Sequence, residues 1–536
     1  MGIYSILNPN LYDYVDKGGK QVFVTTYKQW NEWAEHYTML PYVQSFPLEN
    51  DRILSWEYAW KEANPGSFVL ESGKGGRYTF LGLQPISEIR GKHDHAITKD
   101  TDGSVVELHG SPLELVHRWM MPFLSPVVDE APKFLGGCVG FWGYDVVRSL
   151  EKLPETSVDD LDIPDYAFVR FDQVWIIDHE KRELYCSSSH KWIPSASSPD
   201  ELEQLYSQAA SDTYRMKEIW DRISAINSED DTLRTRDMML KQMDNDQLRI
   251  DVESIEGIKA DFPREAYIHA VNAIKDYISA GDVFQVNLSV RQHKQLTQSP
   301  EEIYEWLRVI NPSPYMAMMR FDDFQLVSGS PELLVQLESG VVRARPIAGT
   351  RPRGKNAEED RKLADELIHH EKERAEHIML VDLERNDLGR ISTYGTVKVK
   401  DFMVIEYYSH VMHIVSQVEG QLAEGNGAFE VIAAKFPGGT ITGAPKIRTM
   451  QIIEELEPVR RGPYTGSIGW IDYNGNMEFN IVIRTLVVVD GIGYVQAGAG
   501  IVIDSIPEKE YMESINKAKA LWKAIQYSEV NVQNPV

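Results

Sequence analysis

Three strand-like segments lie almost end to end near the C-terminus, and they limit the fold more than any other feature. They are "GSIGWIDYN" (466–474), "FNIVIRTLVVV" (479–489) and "GYVQAGAGIVID" (493–504). The few turn residues between them allow a hairpin, whereas a parallel return needs a crossover of a dozen residues or more. Helical patterns interleave with such runs. "REAYIHAVNAIKDYISAGD" (264–282) places apolar residues three and four apart, with Gly281 just past the end. "SPEEIYEWLRVIN" (299–311) has a serine cap and glutamates in its first turn. "PEKEYMESINKAKALWKAIQYS" (507–528) opens on proline. The expected fold is mixed α/β (α+β), built on large, mostly antiparallel sheets.

Organisation along the chain follows from composition shifts. Residues 1–190 carry short strand-like runs, "QVFVTTY" (21–27), "SFVLES" (67–72), "FVRFDQVWIIDH" (168–179) and "ELYCSSS" (183–189). Residues 191–260 form an acidic connector with one amphipathic helix, "DELEQLYSQAASDTYRMKEIWDRI" (200–223), and a polar stretch, 227–257. Residues 261–536 hold the denser alternation of helices and strands.

Charge and cysteine usage exclude several classes. The 536 residues carry a net charge of −26, which repels nucleic acid and anionic membrane surfaces. An anionic substrate would therefore need local cations to capture it. Cys138 and Cys186 are the only cysteines, so neither a disulfide framework nor a cysteine metal site is expected. The first residues lack a signal-peptide pattern, and Ile6 stands where an N-myristoylation site at Gly2 needs Ser or Thr. No apolar run reaches spanning length, so a reducing cytoplasm is expected.

Four stretches could carry chemistry. In "HEKERAEHIMLVDLERND" (370–387), Glu373 and Glu376 share a helix face, and Glu510 and Glu513 repeat the spacing in the closing helix. One such pair is ordinary surface charge. Two pairs brought together would repel by about 3 kcal/mol per contact at ~6 Å, and would call for a hard divalent cation. His370, Lys372 and Asp387 are expected to be solvated or locally paired. In "FPGGTITGAPK" (436–446), Gly438 and Gly443 have phosphate-loop spacing, but Ala444 and Pro445 displace Lys446 from its place. That displacement argues against phosphoryl transfer. "VQAGAGIVIDS" places Gly498 and Gly500 after a strand, either a bulge or a close approach to ligand. "GGCVGF" mimics a nucleophile elbow at Cys138, but His179 brings no supporting signature, so a structural cysteine is expected.

Taken together, the motifs resemble the chorismate-utilising enzymes, specifically their aminating component I proteins. The carriers are "GDVFQVNLSVR", "NPSPYM", "GSPELL", "RPIAGTRPRG", "KERAEHIMLVDLERNDLGR", "YSHVMHIVS", "FPGGTITGAPK", "GPYTGSIGW", "FNIVIRT" and "QAGAGIVIDSIPEKEYMES". They run in order from 281 to 514, and "VLESGKGGRYTFLG" and "GGCVGFWGYD" match upstream. The resemblance implies a β-sandwich core flanked by helices. It implies Mg²⁺ on Glu376 and Glu513, supported by Glu373 and Glu510. Tyr464, Arg484, Gly498, Gly500, Gly349 and Lys446 would bind chorismate, with Thr440 lining the pocket. Glu332 would protonate the departing C4 hydroxyl and His413 would orient the ring.

Position 285 divides the chemistry inside the family. Water-adding relatives carry a lysine base there, and Gln285 cannot serve as one, so ammonia is the expected nucleophile. A glutaminase subunit would supply it, because nothing in the chain resembles a glutaminase. Two products remain. Ala348 in "PIAGT" replaces the nucleophilic lysine of one 4-amino-4-deoxychorismate-forming type and matches the anthranilate-forming spelling. "FPGGTITGAPK", "GSIGW" and "NIVIRT" favour 4-amino-4-deoxychorismate, with anthranilate the alternative. The resemblance also implies a tryptophan pocket from Glu71 and Ser72 with Asn311, Pro312, Ser313, Tyr315 and Met316. A non-catalytic tryptophan-binding regulator is the remaining possibility; it would not need the paired glutamates.

Overall fold

The computed structural model describes residues 22–48, 53–73, 75–194, 198–227, 235–241, 252–407 and 411–533. Gly2 and most of the polar stretch 227–257 lie outside the described residues. Within them the chain forms two sheets of twelve strands each. All strand pairs in both sheets are antiparallel, those joined by short connections and those between distant segments alike.

Both sheets draw on both ends of the sequence. In the first, Ser67–Glu71 pairs with Tyr315–Arg320, which continues through Phe324–Ser330 and Thr485–Val489 to Ile492–Ile501 and Gln285–Gln295. In the second, Gly137–Trp142 pairs with Ser467–Asp472, which leads through Met477–Asn480 to Leu333–Glu338. Residues before 190 and after 261 thus share their sheets. The connector's helix, Pro199–Asn227, packs on Glu183–Lys191 and Met39–Pro47.

Apolar faces of the two sheets meet in a sandwich core that includes Phe68, Phe80 and Ile176 from one and Val139, Phe141 and Phe171 from the other. Outer faces are covered by helices. Arg264–Ala280, Pro300–Ile310, Pro507–Lys517 and Lys519–Gln533 bury their apolar stripes against the first sheet. Glu371–Gly389 and Ala428–Lys435 do so on the second. No described helix is long and apolar enough to cross a membrane.

Local signals hold at helix ends. Ser299 accepts from the Glu302 amide, and Gly281 closes its helix at φ 83°. Three expectations change. "QVFVTTY" is not a strand: Val24 makes one bridge to Gln44, and a capping box between Thr26 and Gln29 starts the helix Tyr27–Trp33. The closing helix is two, parted at Ala518. The runs 168–179 and 479–489 are each split between the sheets, at Asp172 and at 481–484. Strands buried on both faces show no alternation, so nothing in either run announces the change of sheet.

A third passage between sheets falls at 331–332, between Phe324–Ser330 and Leu333–Glu338. It lies beside the passage at 481–484. The Ile481 amide donates to the Glu332 carbonyl (3.0 Å), the Gly329 amide to the Arg484 carbonyl (3.0 Å), and Ser330 Oγ to the Ile481 carbonyl (2.6 Å).

Phe141 is fully buried between the sheets, edge-on to Phe324 at 5.7 Å. Phe141→Ala is expected to lower stability by about 3–5 kcal/mol, read as a shift of the urea midpoint with unchanged slope.

Candidate active site

The two adjacent passages deliver Glu332 and Arg484 to the same place. Glu332 is buried, and burial is the main cause that pushes its carboxyl up to about 8. Thr440 and the cations of Lys435 and Arg484 pull it down, and Glu384 pushes it further up. The acid is therefore protonated at neutral pH. Thr440 Oγ1 lies close enough to influence this carboxyl, but outside strict hydrogen-bond geometry, and is buried without a partner. Arg484 has φ 51°, and burial depresses its pKa while Glu332 raises it. Its guanidinium makes no ion pair or hydrogen bond among the described residues.

His413, on the strand Val411–Gln421, faces this pair from the second sheet. Its Nδ1 lies 3.0 Å from the Gly349 carbonyl and 3.0 Å from Thr350 Oγ1. Donation to the carbonyl sets the tautomer, and burial lowers the pKa, so the ring is neutral. Gly349 follows Ala348 at a bulge where the strand Ile347–Pro352 loses register, with φ 61°. A side chain there would meet Leu367 and Glu373 Oε2.

The two glutamate helices face each other. Lys372 of Glu371–Gly389 and Lys517 of Pro507–Lys517 each act on both Glu376 and Glu510. Burial raises Glu376, with Glu373 adding to it, and burial raises Glu510, with Glu513 adding to it. Glu373 accepts from Arg351 Nη1 at 3.3 Å, and Glu513 pairs with Lys517 at 3.0 Å. Among the described residues no three Asp, Glu, His or Cys side chains converge tightly enough to hold a metal. The donor set nonetheless fits a hard divalent cation in kind: four carboxylates on two facing helices, two of them raised by their neighbours.

Gln285 opens the strand Gln285–Gln295, with its amide beside Glu376 and against Gly500. Gly443 pairs with Val286, and any side chain on it would overlap the Gln285 carbonyl, which is why glycine stands there. A side chain on Gly498 would meet the Leu288 carbonyl, Asn287 Oδ1 and the Tyr464 hydroxyl, so Gly498 packs closely against Tyr464.

Lys446 is a correction. Its ammonium donates to Asp387 (2.8 Å) and to the Lys435 carbonyl (3.3 Å), and it does not line the cavity of His413, Arg484 and Glu513. Asp387 is likewise buried and ion-paired instead of solvated. His370 caps its helix by accepting from the Glu373 amide. Cys138 is buried and its thiol is pushed far up, so it is inert as a nucleophile.

A cavity of about 720 Å³ is lined by His413, Arg484 and Glu513. Lys517, Lys509 and Arg264 bring further cations to it, and none of the three was singled out in the sequence. Only the i, i+4 spacing of Glu513 and Lys517 could have drawn attention to one of them. The expected tryptophan pocket is divided. Asn311, Pro312 and Ser313 line this first cavity, while Glu71, Ser72, Tyr315 and Met316 line a second one of about 760 Å³. Pro314 lines both. The Glu71 carboxylate is taken up by Trp56, Tyr304 and Arg308.

Comparison with known proteins agrees with these features. The family described as chorismate binding enzyme matches residues 66–523. Aminodeoxychorismate synthase component 1 of Bacillus subtilis (strain 168) is 45% identical over 490 residues, 91% of this chain and 98% of that protein. Anthranilate synthase component 1 of Acetivibrio thermocellus is 40% identical over 510 residues, 94% of this chain and 99% of that protein. The crystal structure of anthranilate synthase component I from Streptococcus pneumoniae TIGR4 superposes with a TM-score of 0.66 at 34% identity, covering 83% of this chain and 92% of that one. With a family match over most of its length and relatives of this identity, the chain belongs to the chorismate binding enzymes.

Proposed function

We propose that this enzyme aminates chorismate to 4-amino-4-deoxychorismate, with Mg²⁺ bound and ammonia supplied by a separate glutaminase subunit in the cytoplasm. The observation that carries the proposal is the buried Glu332 carboxyl, which burial pushes up to about 8, beside the Arg484 guanidinium. A buried carboxylic acid can give a proton to a departing hydroxyl, and an unpaired guanidinium can hold a planar carboxylate. Identity favours the 4-amino product, 45% against 40%, in line with the motif spellings.

Chorismate carries two carboxylates. Arg484 and Tyr464, over the floor of Gly498 and Gly500, would take the enolpyruvyl carboxylate. Glu376 and Glu513 would hold Mg²⁺, with Glu373 and Glu510 in support. Bound there, the ion would supply charge for the ring carboxylate and Lewis-acid polarisation of the ring. Glu332 would pass its proton to the C4 oxygen as the C4–O bond breaks, so that water leaves. His413, fixed by Gly349, would orient the ring. Gln285 cannot take a proton from water, so ammonia, nucleophilic without prior deprotonation, would form the new C–N bond, and the proton shed by the resulting ammonium would return to the Glu332 carboxylate. Ala348 has no amine, and no covalent enzyme intermediate can form at that position. That same residue favours the alternative, amination at C2 with loss of pyruvate to give anthranilate. The second cavity, beside Tyr315 and Met316, would be the place for bound tryptophan.

Incubation with chorismate, Mg²⁺ and an ammonium salt at alkaline pH separates the two products. The expected product becomes 4-aminobenzoate only after aminodeoxychorismate lyase is added. Anthranilate fluorescence without the lyase would establish the alternative, and no turnover by folded protein would reject both. Glu376→Gln and Glu513→Gln should each abolish turnover, and with it any rise in melting temperature caused by Mg²⁺, while circular dichroism stays unchanged. Activity persisting in both would remove the metal assignment. Glu332 should also mark the pH dependence of stability. A carboxyl raised to about 8 contributes stability in its protonated form. That contribution is complete below the ordinary glutamate range and is lost as pH rises towards about 8. Relative to Glu332→Gln, the wild type should therefore weaken by on the order of a few kcal/mol between roughly pH 4.5 and 9.

A further inference from the structure

The glycine loop 436–445 is bracketed by two lysines, and both reach the same helix. Lys435, the last residue of Ala428–Lys435, is fully buried and ion-pairs with Glu384 of Glu371–Gly389. Lys446, the first residue of Lys446–Leu456, pairs with Asp387 one turn further along. The two pairs are joined, since Lys446 also donates to the Lys435 carbonyl and Asp387 lies 3.9 Å from Lys435 Nζ. Glu384 and Asp387 are themselves buried, at 5% and 8% exposure.

Between its two anchors the loop is pressed on both sides. Gly438 abuts Leu334 and Ile481, the neighbours of Glu332 and of the passage to Arg484, so a methyl group there would touch both. Gly439 abuts Leu383, the residue before Glu384. Thr440, with its unpartnered hydroxyl, sits at the centre of the loop. A buried ion pair is a weak source of stability, because desolvation offsets most of its Coulomb energy. Three buried charges and a partly buried fourth, Lys446, placed around one ten-residue loop therefore call for another role.

We propose that the Lys435–Glu384 and Lys446–Asp387 pairs clamp the glycine loop to the glutamate helix, and that Lys435 and Glu384 are positioning residues which set the charge next to Glu332. The proposal rests on the amination reading, in which Glu332 is the acid. The charged groups facing Glu332 are Glu384 from the helix Glu371–Gly389, Lys435 from Ala428–Lys435, and Arg484 from the passage between sheets. Glu384 and Lys435, joined as an ion pair, act in opposite directions on the acid. Removing one leaves the other uncompensated in a low-dielectric site.

The test is the pH profile of kcat in the full-length enzyme with chorismate, Mg²⁺ and ammonium, with Glu332→Gln identifying the alkaline limb that belongs to Glu332. Glu384→Gln should move that limb to lower pH by about one unit, and Lys435→Met should move it to higher pH by about one unit. The double variant, which buries no lone charge and is expected to fold, should place the limb between those of the two single variants. Its kcat should fall about tenfold with KM changed less than twofold, because the loop is no longer held. If a single variant does not fold, the double variant decides alone, and wild-type kcat in it would overturn the clamp. Limbs that coincide in folded single variants, or that move in the same direction, would overturn the charge-setting role. Wild-type enzyme that fails to turn over chorismate would instead reject the amination reading, so the two failures are distinguishable.

Discussion

Three hydrogen bonds between adjacent chain passages hold the site together: Ile481 N–H to the Glu332 carbonyl, Gly329 N–H to the Arg484 carbonyl, and Ser330 Oγ to the Ile481 carbonyl. Each passage is a point where the chain leaves one sheet of the sandwich for the other. A strand interior has its backbone groups committed to neighbours on both sides, and its side chains committed to one face or the other. At a passage both commitments lapse for a few residues. Those residues can then turn a charged side chain towards a cavity without breaking a ladder, which is how the buried Glu332 and the partly buried Arg484 come to lie beside each other. The left-handed backbone of Arg484 (φ 51°) is part of that change of direction.

Burial at this point works differently on the two groups. It favours the neutral form of each, so it protonates Glu332 and depresses Arg484, and their mutual attraction works against both effects. The outcome is an acid that keeps its proton at neutral pH next to a cation left without a partner. His413 is neutral for the same reason. The opposite wall carries two carboxylate pairs, each repelling within its own helix, with Lys372 and Lys517 as the charges that act across both. A chain with a net charge of −26 thus concentrates cations, Arg484, Lys517, Lys509 and Arg264, around one cavity. That is the local capture which an anionic substrate requires of an acidic protein.

Much of the local structure was legible because its causes are local. Helix caps at Ser299 and Gly281, the hairpin-linked strands after 466 and the two E-x-x-E pairs all depend on residues within one turn or one hairpin. Lys446 and Asp387 were misread for the converse reason. The resemblance put Lys446 on the substrate, Asp387 read as a solvated or locally paired charge, and only the approach of two distant helices makes them partners. Lys435 and Glu384 passed unnoticed, since 51 residues separate them and neither spacing nor charge marks either one. The split of "FNIVIRTLVVV" was invisible because continuous apolar runs look the same whether they serve one sheet or two.

By itself the sequence indicated antiparallel sheets, the helix caps at Ser299 and Gly281 and, through its ordered motifs, the family. Tertiary structure alone decided which charges are buried, which are paired, and which face a cavity. It placed Glu332 beside Arg484, committed Lys446 to Asp387, and divided the 311–316 segment and its partners between two cavities. The reason is one of range. Backbone geometry and capping are set by neighbours in the chain, whereas the dielectric environment and partners of a charge depend on residues brought together from hundreds of positions away.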